Sequence, residues 1–215
     1  MTNKKGFTLL EVLVTMAILS IVLMLIYTTY ANCVSTIEDT QDLIETEQKA
    51  RLTLDIMVKT IRGAFYEHED PNLKFIGKDK EINDAGKSYK VDSLSFITAN
   101  HPFELEDEKH DLIEIGYKLN IAPNNQDKIL GVLQIRRDVN IDNDDVEKGG
   151  EVFELCDNIE GLNITYYKSA DKKWVDEWNS DNENGMPPSA VKLEITLKRR
   201  NNMLETYSTL VNLTH

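Results

Sequence analysis

Residues 7–26 are apolar for twenty positions and carry one charge, Glu11. As an α-helix rising about 1.5 Å per residue they reach about 30 Å, the thickness of a bilayer's hydrocarbon core. A carboxylate inside such a helix costs at least about 2.5–3.5 kcal/mol even on lenient insertion scales, so something must offset it. The flank Met1-Thr2-Asn3-Lys4-Lys5 is basic, which predicts an N-terminus held in the cytoplasm and everything beyond Ile26 delivered to the other side. A secretory signal peptide also starts basic, but its apolar region is shorter and ends at a small-residue cleavage site. Ala31-Asn32-Cys33 is a poor site of that kind. A plain signal anchor fits the length and gives Glu11 no purpose.

The hexapeptide Gly6-Phe7-Thr8-Leu9-Leu10-Glu11 resembles the prepilin signature of type IV pilins and of the pseudopilins of type II secretion. The resemblance implies an inner-membrane prepilin peptidase that cuts after Gly6. Phe7 would then become the N-methylated first residue of the mature chain. Glu11 would serve subunit assembly by neutralising the terminal amine of a neighbouring subunit as the helix enters a filament. An ion pair in a low-dielectric bundle is far better placed than a lone buried charge.

Beyond Ile26 the composition turns polar, yet Tyr27, Tyr30, Val34, Ile37, Ile44, Leu54, Val58, Ile61 and Phe65 recur at spacings built from threes and fours. That is the amphipathic helical period. No proline or glycine lies between Phe7 and Arg62, so nothing ends the helix before Gly63. The reading is a leader at residues 1–6, a membrane segment at 7–26, an amphipathic continuation at 27–65 and a head at 66–215. Residues 38–42 are polar all round and predict an exposed neck.

After Pro71 the pattern alternates instead. Strands are expected at 73–77, 93–98, 112–120, 129–139, 152–155, 162–168, 191–199 and 204–213. Leu193-Glu194-Ile195-Thr196-Leu197-Lys198 alternates strictly, as one buried sheet face requires. One long helix followed by strands makes an α+β chain, a pilin-like fold with a mostly antiparallel head packed on the helix stripe. Asn201-Asn202 marks a hairpin between the last two strands.

A second resemblance lies in the head. Leu162-Asn163-Ile164-Thr165-Tyr166-Tyr167, then Trp174 and Trp178, then Met186-Pro187-Pro188-Ser189-Ala190-Val191 leading into a strand look like the J-type minor pseudopilin of type II secretion. Arg51 to Arg62 at the helix end is similar too, whereas Met186 stands where a leucine is usual. The resemblance implies a subunit of the periplasmic pseudopilus tip that helps initiate assembly, with other minor pseudopilins, the major pseudopilin and the inner membrane as partners. A minor pilin of a type IV pilus or competence pseudopilus shares the N-terminal features. A membrane-tethered enzyme or ligand-binding domain is the rival of another class. Trp174 and Trp178 are candidate interface residues, although bulky aromatics beside a strand also close core edges.

The chain of 215 residues has a formal charge of −13, from 37 acidic against 24 basic residues. That balance argues against a nucleic-acid groove, which needs clustered Lys and Arg. Two cysteines, Cys33 and Cys156, permit at most one bridge and are expected free. His68, His101, His110 and His215 sit at no zinc spacing, and no nucleophile elbow or phosphate loop occurs, so no catalytic or cofactor residue is expected. Residues 140–145 and 176–184 crowd oxygen ligands into loops, which makes calcium a minor candidate, but neither fits the EF-hand frame.

Overall fold

The structure is a computed structural model that describes residues 6, 8–67, 73–84, 86–100, 102, 112–122, 130–139, 141 and 148–213. It divides into two compact units, Met1–Glu45 and Thr46–His215.

The first unit is the N-terminal part of α1 (Leu9–Arg62). The Thr8 carbonyl accepts the N–H groups of Glu11 and Val12 and so opens the helix. Residues 8–33 are exposed throughout, and this helix is long and apolar enough to cross a membrane. Its few hydroxyls are internally satisfied: Thr15, Ser20, Thr28 and Thr29 donate to the carbonyls of Val12, Met16, Leu25 and Leu25. In lipid no water would take those donors, so bonding back to the preceding turn lets Ser and Thr sit in an apolar helix. Tyr27, Tyr30, Ile37 and Ile44, expected in the packing stripe, are exposed. Glu38 through Gln41 are exposed as expected for a neck, and Asp42 is buried.

In the second unit the helix turns one face to a core. Ala50, Thr53, Leu54, Met57, Thr60 and Ile61 are buried, the three-and-four spacing of one helical stripe. The helix stops where glycine was expected to stop it, for a reason of contact. A Cβ at Gly63 would lie 2.6 Å from the Asn100 side chain. That side chain donates to the Lys59 carbonyl at 2.8 Å, and the Thr98 hydroxyl donates to the Thr60 carbonyl at 2.8 Å. The end of a strand thus caps the last turn of the helix.

The strands are β1 (Phe75–Lys78), β2 (Glu81–Asp84), β3 (Lys87–Lys90), β4 (Ser93–Thr98), β5 (Ile113–Ala122), β6 (Leu130–Asp138), β7 (Glu151–Lys168), β8 (Lys173–Val175), β9 (Trp178–Asn179), β10 (Ala190–Lys198) and β11 (Leu204–Asn212). Nine form an antiparallel sheet in the order β11-β10-β7-β6-β5-β4-β1-β9 with β8 beside β7, and β2–β3 make a separate hairpin. One face alternates into the core with Leu94, Phe96, Ile115, Tyr117, Leu133, Ile135, Ile164 and Leu193, which share a cluster with the helix stripe. The Tyr117 hydroxyl and Thr60 Oγ1 meet at 2.7 Å inside that core.

Two expected strands, 152–155 and 162–168, are one strand of 18 residues, β7. The intervening Asp157-Asn158 has turn chemistry, and Asn158 does adopt φ 59°, yet it makes a bulge. Between the pairs Gly131↔Ile159 and Leu133↔Cys156 the register shifts. Gly131 is required opposite the bulge, because a Cβ there would lie 2.6 Å from the Ile159 carbonyl oxygen. Extra residues accommodated in this way bend a strand without ending it.

Along one edge β7 pairs with β10. Its other edge is shared between β6, up to Ile159, and β8, from Tyr166. Asp92 fills the gap between them. Its N–H donates to the Leu162 carbonyl at 3.1 Å, and its carboxylate accepts the Ile164 N–H at 2.7 Å and the Lys80 N–H at 3.1 Å. The side chain thereby replaces a missing ladder partner for backbone that would otherwise be buried and unpaired. Burial pushes the Asp92 carboxyl up to about 6, against the opposing effect of those two N–H groups.

Candidate functional site

Three regions carry the residues singled out in the sequence. The first is the head of α1. Gly6 is exposed and Phe7 lies outside the described residues. Glu11 sits in the first helical turn, where a negative charge complements the helix dipole. It is exposed and has no ion pair among the described residues. Leu9 and Leu10 beside it are 81% and 73% exposed. A carboxylate set into a membrane-length apolar surface without an ion-pair partner among the described residues is well placed to take one from outside, because an uncompensated charge in low dielectric is costly.

The second region is the excursion between β7 and β10. Here the two tryptophans separate. Trp178 is only 6% exposed: it pairs on β9 opposite Gly77 of β1, and its ring lies 6.4 Å from Tyr166. It extends a run of core rings from Tyr117 through Phe96, Phe75 and Tyr166. The expectation that Trp178 is an interface residue is therefore corrected, because burial of a large ring in the chain's own core leaves no face for a partner. Trp174 on β8 is 45% exposed and leans on Tyr167 with ring centres 5.3 Å apart.

Trp178 also explains why its sequence neighbourhood reads as a signature. Its indole N–H donates to the Met186 carbonyl at 3.1 Å, immediately before buried Pro187 and Pro188. Ser189 then donates its N–H to the Tyr167 carbonyl, and its own carbonyl accepts the Leu213 N–H. The tryptophan and the proline pair are two ends of one structural unit that closes the sheet over Tyr166. Next to it, Gly77 makes room for the Tyr166 ring, since a Cβ there would lie 2.0 Å from the phenolic oxygen.

The third region is the acidic loops and the titratable groups. Of residues 140–145 only Ile141 is described. In the 176–184 stretch, Asp181 lies 3.5 Å from Lys74 and Glu183 pairs with Lys168. Among the described residues no group of three His, Cys, Asp or Glu side chains could hold a metal ion, and the four histidines lie outside them. Cys33 is exposed, Cys156 is buried, and both are free. Burial raises the Cys156 thiol and the Tyr117 and Tyr166 phenols. These groups belong to the core, where desolvation disfavours their charged forms. The nearby cleft of about 560 Å³ contains Lys78, Lys168, Lys173, Asp171 and Glu183, and Lys168 is raised by its bond to Glu183. Surface pairs of this kind are an ordinary feature of a charged face.

Comparison with known proteins bears on the first region and the head separately. Residues 1–27 match the prokaryotic N-terminal methylation motif. Residues 36–209 match the family of type II secretion system protein J. No curated protein matches the chain.

Proposed function

Because the chain belongs to the type II secretion system protein J family, we propose that it works as that family's structural subunit through three steps carried by its N-terminus. The protein is a minor pseudopilin of type II secretion with an inner-membrane anchor. A prepilin peptidase cuts between Gly6 and Phe7, Phe7 is methylated at the new terminus, and Glu11 pairs with a terminal amine of a neighbouring subunit. The lysines at positions 4 and 5 hold the leader in the cytoplasm, so the head enters the periplasm. The assembled subunit sits at the pseudopilus tip with other minor pseudopilins and helps start assembly. Its work is mechanical and nucleating rather than catalytic.

The observation that carries this reading is Glu11, exposed and without an ion-pair partner among the described residues in a helix fit to cross a membrane. An adjoining subunit's terminal amine would supply such a partner. The test has two arms, both in cells that make the peptidase and the other pseudopilins. Intact-mass measurement should find the mature chain without residues 1–6 and with one added methyl group; a chain retaining residues 1–6 overturns the processing step. Glu11→Leu should be inserted and cut normally yet lose most secretion. Normal secretion by that variant removes the assembly role while leaving processing intact. Cross-links from the head to a type IV pilus or competence subunit, instead of to other minor pseudopilins, would move the same subunit to a different filament.

A further inference from the structure

The face of the sheet turned away from the helix holds a feature that the reading above does not use. Because residues two apart share a face, the strand register builds two rows there. Ser93 on β4 stands opposite Lys118 on β5, which stands opposite Gln134 on β6; alongside, Ser95 stands opposite Gly116, which stands opposite Arg136. These residues and Lys80 line a pocket of about 250 Å³.

Three observations bear on what this pocket can hold. Ser93 is buried and its hydroxyl has no hydrogen-bond partner among the described residues, an expensive state for a polar atom unless a group from outside completes it. Gly116 leaves the floor open: a Cβ there would lie 3.2 Å from Arg136 Nε and 3.3 Å from Ser95 Oγ, so any side chain would crowd the space between those two donors. Lys80 and Lys118 line the same space, and neither has an acidic partner among the described residues. Arg136 is held in place by Glu114, by the Lys148 carbonyl, which its Nη1 approaches at 2.9 Å, and by Asp138, whose carboxylate lies 3.9 Å from Nη1. Glu154 stands at the end of the first row, beyond Gln134. In a chain of net charge −13, general attraction to anions is absent, so a local convergence of cations and hydroxyls is selective by position.

We propose that the pocket between Lys80, Ser93, Ser95, Gly116, Lys118 and Arg136 binds a small tetrahedral oxyanion of the phosphate or sulfate class. The serine hydroxyls supply directed donors from the floor, the Arg136 side chain, anchored by Glu114, forms its wall, and the two lysines supply charge from the rim, the combination that charge-assisted hydrogen bonds reward. The anion is either free or carried as a phosphate monoester on a larger molecule.

The test uses the full chain in detergent micelles, with potassium phosphate and potassium sulfate titrated against chloride at constant ionic strength while the melting temperature is followed. A ligand that binds only the folded state raises it in a saturable way. The double variant Lys80→Ala/Lys118→Ala should weaken the anion by about tenfold or more, and Ser93→Ala by about threefold to tenfold. Lys198→Ala, which removes an equal charge elsewhere on the sheet, should leave it unchanged. O-phosphoethanolamine separates the sources: binding as tight as inorganic phosphate assigns a carried monoester, and binding of the inorganic ions alone assigns a free anion. Absence of saturation with either inorganic ion, or equal weakening in the Lys198 variant, overturns the proposal. Circular dichroism of each variant establishes that the fold is kept, and Ser93→Ala serves as an independent arm should the double variant fail to fold.

Discussion

Helix α1 is one run of hydrogen-bonded backbone from Leu9 to Arg62, yet its two parts are held by different physics. Through residue 33 the helix is self-sufficient: apolar side chains point out on every side, and its hydroxyls bond to its own carbonyls. A segment of that design has no need of a protein core, because in lipid the backbone bonds alone favour the helix. After Thr46 the same backbone depends on one face, with Ala50, Met57 and Ile61 fully buried in the head. Short polar-faced helices of this sort draw their stability from tertiary packing. Continuity of secondary structure therefore says little about what stabilises each part of it.

The comparison is broken most directly by removing equal bulk from both parts. Met57→Ala should destabilise the head by about 2–5 kcal/mol, since it opens a cavity in a close-packed core. Leu19→Ala, at a side chain 58% exposed, should leave the head's denaturant midpoint unchanged. Equal effects of the two on head unfolding would show that the helix is a single stability unit.

A second test concerns pH and follows from Asp92. Its carboxyl sits at about 6 in the folded head, above an ordinary 3.8, so the folded state binds the proton more tightly than the unfolded chain. The resulting stabilisation is fully present below 3.8 and is lost as pH rises through about 6; linkage fixes that sign. Melting the wild type and Asp92→Asn from pH 4 to 8 should show the difference between them narrowing across this window. The variant is less stable at the acidic end, because the protonated carboxyl keeps lone pairs on both oxygens for the Ile164 and Lys80 N–H groups, whereas the amide NH2 cannot accept either. A pH-independent difference would mean that Asp92 is not titrating there.

The smallest effect is expected at the contact that ties helix to sheet. Tyr117→Phe removes the hydroxyl that meets Thr60 at 2.7 Å and should cost about 0.5–1.5 kcal/mol. The value should fall at the low end, because Thr60 Oγ1 also reaches the Met57 carbonyl at 3.0 Å and keeps a partner. A neutral result in urea melts would place the docking of the helix entirely in apolar packing.

Most of the strands were legible because alternation is a local signal. Ser93–Thr98, Ile113–Ala122, Ala190–Lys198 and Leu204–Asn212 fall within a residue or two of the expected spans. The short strands were not. Lys173–Val175 and Trp178–Asn179 are too brief to alternate and exist through pairing with β7 and β1. Glu81–Asp84 and Lys87–Lys90 are charged and pair only with each other. The gap in the β7 ladder was equally hidden, since Asp92 reads as a polar residue before a strand and acts 72 positions away on Ile164. The pocket on the outer face has no motif at all, because its rows come from three strands in register.

By itself the sequence determined what depends on neighbours along the chain: a membrane-length helix with one carboxylate, a run without breakers to Arg62, the processing signature and the alternation of the long strands. Only the tertiary structure decided which of two similar tryptophans is core, that Asp157-Asn158 is a bulge instead of a turn, and which cations converge across the sheet. The reason is that periodicity reports which side of an element is apolar, whereas burial and pairing depend on what another part of the chain places against that side.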